Sequence, residues 1–68
     1  MKEKKFRGTR YFIEVAGGFT LCKDSVEELK ANELPLLRKN YKGEIAKIIK
    51  QDMYTRENVN TVIEEITL

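Results

Sequence analysis

The chain has 68 residues, 41% of them hydrophobic and 35% charged, and a formal net charge of +2. That length allows one small domain and no second, and the apolar share is too high for a disordered chain. The near balance of charge excludes a polycation that coats nucleic acid by charge alone, and equally an acidic mimic of nucleic acid.

Residues 1–8 read as a flexible basic arm in front of a domain that spans 1–68. From Thr9 to Cys22 the pattern is that of a β-hairpin. Tyr11, Ile13 and Val15 alternate with Arg10, Phe12 and Glu14, the period of a half-buried strand. Gly17-Gly18 supplies the positive φ angles of a tight turn. A three-residue loop, Ala16-Gly17-Gly18, pairs Val15 with Phe19 and Ile13 with Leu21. It collects Tyr11, Ile13, Val15, Phe19 and Leu21 on one face, so the hydrophobic pattern selects this register.

Asp24 reads as the cap of a first helix from Ser25 to about Asn32, with Glu27 completing a capping box. Asn32 then caps a second short helix, with Pro35 in its first turn and Leu34, Leu37 and Tyr41 along its apolar stripe. Ile45, Ile48, Ile49 and Met53 have helical spacing. Thr55 caps a last helix carrying Val59, Val62, Ile63 and Ile66. Thr61 to Leu68 is also rich in β-branched residues and alternates, so a third strand competes with that helix. The expected fold class is α+β: an N-terminal β-hairpin followed by two or three short helices, with a C-terminal segment that is helix or third strand. The expected core is Tyr11, Ile13, Val15, Phe19, Leu21, Val26, Leu29, Leu34, Leu37, Ile45, Ile48, Ile49, Val62, Ile63 and Ile66.

The chemistry the residues allow is narrow. There is no His, and Cys22 is the only Cys. These counts remove the commonest general base, an intramolecular disulfide and a Cys/His zinc cluster. No phosphate-loop spacing occurs, and the adjacent acids Glu27-Glu28 and Glu64-Glu65 point apart on either a helix or a strand. No enzyme, cofactor or metal is expected. No apolar run exceeds three residues, far short of the ~20 that span a bilayer. Glu14 and the Gly17-Gly18 pair interrupt any signal-peptide core. The expectation is an unprocessed cytoplasmic protein without a membrane partner.

Charge is segregated. Residues 1–10 carry five basic residues and one acid, and residues 38–50 five basic residues and one acid; the two segments between and after are acidic. Lys4, Lys5, Arg7, Arg10, Arg38, Lys39, Lys42 and Lys50 would form a phosphate-binding surface if the two segments adjoin, with aromatic residues among them to stack on bases. The segments 44–49 and 55–59 also outline a helix-turn-helix pair that would set Arg56, Asn58, Asn60 and Thr61 at a groove, although their connection is long and lacks Gly. The bland alternatives are a solvated charged face and two amphipathic elements packed on the hairpin. On the hairpin's other face, Phe12 stands with Thr20 and Cys22. Left uncovered, it offers a protein-binding surface; alternatively Phe6 folds over it. The leading expectation is a small non-enzymatic module that binds another protein as adaptor, inhibitor or regulator, through Phe6, Phe12 and Thr20. The alternative is a small nucleic-acid-binding regulator. A chain this short gains stability by forming a homo-oligomer.

Overall fold

The computed structural model describes residues 4–68. They form a four-stranded antiparallel sheet with one helix: β1 Phe6–Val15, β2 Gly18–Phe19, α1 Val26–Asn40, β3 Ile45–Tyr54 and β4 Asn58–Thr67. The strand order is β2-β1-β3-β4. This overturns the expectation of a hairpin followed by two or three helices. Phe6, Arg7 and Gly8 of the expected arm belong to β1, and its first three residues lie outside the described residues.

The hairpin turns one residue earlier than the apolar pattern suggested. Val15 pairs with Gly18 and Glu14 with Phe19, so the loop is Ala16-Gly17, with φ of 50° and 80°. Two positive φ angles in succession mark a type I′ turn, whose twist matches that of the flanking strands. The register moves Phe19 from the expected core to the opposite face, where it is 66% exposed. Beyond it, Thr20 donates its N–H to the carbonyl of Ile13, and Lys23 exchanges two backbone hydrogen bonds with Tyr11. Leu21 and Cys22 therefore oppose the single residue Phe12, a bulge that turns Leu21 out to 76% exposure.

Ser25, not Asp24, caps the helix. Its backbone is extended and its side chain accepts the Glu28 N–H at 3.1 Å, which satisfies one of the free donors of the first turn. Glu27 and Glu28 stand in that turn and Arg38 and Lys39 in the last, both arrangements favourable to the helix dipole. The helix runs on through Asn32 and Pro35, where two helices were expected. Pro35 leaves the Ala31 carbonyl without its intrahelical donor, and it lies on the exposed side of the helix. Val26, Leu29, Leu34 and Leu37 form the packing stripe.

Residues 45–53, expected as helix, are the strand β3. Its Ile48 and Ile49 are both buried because they serve opposite faces. Ile48 pairs with Ile13 under the helix, and Ile49 pairs with Phe12 on the other side. Asn58–Thr67 is strand too, which settles the competition there in favour of the strand and removes the helix-turn-helix pair. The core beneath α1 comprises Ile13, Val15, Ala46, Ile48, Leu29, Leu34 and Leu37, with Tyr11, Val26, Ile66 and Leu68 packed around it. Ile45, Val62 and Ile63 join Phe19 and Leu21 as expected core residues that are exposed instead. Among the described residues no helix is long and apolar enough to cross a membrane.

Candidate functional site on the helix-free face

The helix covers one face of the sheet and leaves the other open. Directly paired residues of neighbouring strands share a face, so the register arranges the open face in rows. One row is Phe12–Ile49–Val62, flanked by Phe19. On one side of it lies Arg10–Gln51–Asn60, and on the other Glu14–Lys47–Glu65.

The apolar row has a specific geometry. The Phe12 and Phe19 rings meet edge to face, with centroids 5.5 Å apart and an interplanar angle of 79°. That arrangement places the positive edge of one ring on the negative face of the other. Phe12 is only 7% exposed. It is held under Phe19, so Phe19 is the ring that presents itself to solvent.

The polar row is a relay. Arg10 donates through Nε to Oε1 of Gln51, and Gln51 donates through Nε2 to Oδ1 of Asn60 at 3.0 Å. Gln51 is the one buried polar residue among the described residues, and the relay satisfies its amide. Arg10 makes no ion pair among the described residues. Arg10, Phe12, Phe19, Thr20, Cys22, Gln51 and Asn60 together line an open concavity of about 290 Å³.

Of the three residues expected to bind protein, the fold brings two together. Phe12 and Thr20 line the concavity. Thr20 spends its hydroxyl on the backbone, accepting from the Ile13 N–H at 2.9 Å and donating to the Leu21 carbonyl. Phe6 sits at the far end of β1, where its ring meets Tyr54 edge to face at 5.6 Å. Six residues of extended strand, about 20 Å, separate it from Phe12, and Phe12 takes Phe19 as its ring partner instead.

The basic residues scatter. Lys4 forms an ion pair with Glu57, and Lys5 hydrogen-bonds through its backbone to Thr55, at the β3–β4 turn. Arg7 lies next to them in β1. Arg38 and Lys39 end the helix, and Lys42 follows in the loop that leads to Ile45, at the opposite end of a molecule measuring 48 × 20 × 16 Å. Lys50 pairs with Tyr11 and so faces the helix side, whereas Arg10 faces the open side. Among the described residues the two basic segments meet only where Arg10 and Lys50 lie on neighbouring strands, on opposite faces of the sheet, and they form no single patch.

Of the residues that line the concavity, the sequence pattern places Phe19 in the core, Cys22 beside Phe12 and Asn60 at a helix-turn-helix groove, and it gives Gln51 no role. For Phe19 a signal existed: Ala16-Gly17 can form the turn as well as Gly17-Gly18, and that choice pairs Phe19 with Glu14. Gln51 carries no local mark, because only the pairing of β3 with both neighbours brings it and Asn60 beside Arg10. No family model, curated protein or solved structure matches the chain.

Proposed function

We propose that the chain is a small, non-enzymatic cytoplasmic module that binds another protein through the helix-free face of its sheet and so acts as an adaptor, inhibitor or regulator. The observation that carries this reading is that the exposed Phe19 ring and Arg10 line one open concavity, floored by Phe12 and Gln51. Exposed aromatic and arginine side chains are the residues on which binding energy concentrates in protein interfaces. Charge on this face is balanced, with Arg10 and Lys47 against Glu14 and Glu65. A polyanion would find no net attraction there, which favours a protein partner over nucleic acid. The non-enzymatic part of the reading rests on a sequence without His to activate its lone thiol.

A random-peptide display selection against the folded protein tests this. Enriched peptides should lose at least tenfold in affinity against Phe19→Asp, since burying a carboxylate there costs more than ~1.4 kcal/mol. Bound peptide should also slow alkylation of Cys22, which is exposed on the rim. Peptides indifferent to Phe19→Asp would refute the reading. So would tight, salt-sensitive binding of a labelled single strand or duplex, which would restore the nucleic-acid alternative.

A further inference from the structure

The two edges of the sheet differ. On the β2 side the edge strand is only two residues long, and so short an edge gives an added strand little to pair with. On the other side β4 offers a ten-residue edge with no Pro, Lys or Arg, and with Val59, Val62 and Ile63 exposed. Pro and Lys are the residues by which natural edges are most often blunted; the charges that β4 does carry are Glu64 and Glu65. We propose that β4 pairs antiparallel with β4 of a second copy, about a dyad between Val62 and Ile63, joining two sheets into one of eight strands.

The register follows from the backbone. At one end of β4, Glu57 accepts the Tyr54 N–H; at the other, Leu68 exchanges hydrogen bonds with Gly43 and Glu44. Groups alternate along a strand. Glu57, Val59 and Thr61 therefore turn their backbone groups inward to β3, as do Glu64, Ile66 and Leu68. The change from odd to even occurs at the bulge, where Val62 and Ile63 together oppose Ile49. Asn58, Asn60, Val62, Ile63, Glu65 and Thr67 are left turned outward. Only a dyad between Val62 and Ile63 matches outward with outward along the whole strand.

That register pairs Asn58 with Thr67 of the second copy, Val59 with Ile66, Asn60 with Glu65, Thr61 with Glu64 and Val62 with Ile63. Each pair also shares a face of the sheet. Asn60 and Glu65 lie on the open face, opposite Gln51 and Lys47; Thr61 and Glu64 lie on the helix side, opposite Lys50 and Ile48. Apolar residues meet apolar residues. Each acid meets a hydrogen-bond donor, and no acid meets an acid. A dyad at Glu65 would instead set like charges face to face, which is unfavourable. The complementarity of β4 with itself is what identifies a second copy as the occupant.

Sedimentation equilibrium from micromolar to millimolar protein provides the first test, with a monomer–dimer equilibrium expected. Two substitutions at Thr61 then separate dimer from fold, because Thr61 faces Lys50 within the chain and Glu64 across the dyad. Thr61→Glu should leave the fold intact yet weaken the dimer about tenfold, since the dyad repeats the repulsive pair twice. Thr61→Lys should do the reverse and tighten it. In a Cys22→Ser background, a mixture of Thr61→Cys and Glu64→Cys chains should cross-link to each other far faster than either alone. A monomer at every concentration overturns the proposal, as does a dimer indifferent to both Thr61 substitutions or cross-linking without the 61–64 preference.

Discussion

Ala16 is the residue at which the fold bears a local cost. A φ of 50° brings its Cβ against the following carbonyl, which costs an ordinary residue about 1–2 kcal/mol. Asn tolerates this region better, because its short amide bonds to the nearby backbone, and Asn-Gly is the favoured pair for a type I′ turn. Ala16→Asn should therefore raise the unfolding free energy by about 0.5–1 kcal/mol, read as a higher urea midpoint with an unchanged slope. An unchanged or lower midpoint would mean that the turn is not the source of strain. Phe12 shows the opposite situation. It gains burial on the face without a helix, because Phe19, delivered by that same turn, closes over it.

At the scale of the element, most of the discrepancy between sequence and structure comes from β3 and from the assumption of a single buried face. A strand buried on one side alternates; one buried on both sides does not. Ile45, Ile48, Ile49 and Met53 fall at helical intervals because β3 lies centrally and supplies Ile48 to one face and Ile49 to the other. Nothing local distinguishes that from a helix stripe. The same assumption selected the wrong hairpin loop, since it gathered Phe19 and Leu21 with Ile13, whereas the sheet keeps apolar residues on both faces. What was legible was the β1 alternation, a tight turn near Gly17, and a helix starting about Ser25 with Leu29, Leu34 and Leu37 inward. The helix also outruns its breaker. Pro35 lies well inside α1, where proline removes a hydrogen bond and crowds the preceding turn. Pro35→Ala should add about 1–3 kcal/mol of stability, measured by thermal or denaturant melting with helical circular dichroism preserved. Destabilisation would show that the fixed φ of Pro35 outweighs the lost bond through its effect on the unfolded chain.

At the scale of the molecule, a helix of 15 residues spans ~22 Å and strands of ten residues ~33 Å, so the sheet extends beyond its cover. The overhang is held by polar cross-strand links such as Thr9 Oγ1 to Asp52 Oδ1 at 2.7 Å, and by the Phe6–Tyr54 ring contact. The core beneath the helix lies toward the other end, and it depends on one ladder, β1 with β3. In that ladder Glu14 pairs with Lys47 and Phe6 with Tyr54, so it joins residues 33 to 48 positions apart. Every other element closes on itself locally: the β1–β2 turn, the helix, and the β3–β4 turn. Closing a long segment costs entropy before any contact repays it. We therefore expect the rate at which this chain reaches its native state to be set by the meeting of Ile13 with Ile48, before the first turn of the helix is capped. In stopped-flow refolding, Ile48→Val should slow the folding arm of the chevron, while Ser25→Ala should act mainly on the unfolding arm. The reverse assignment would place the barrier in the helix rather than in the joining of the two halves.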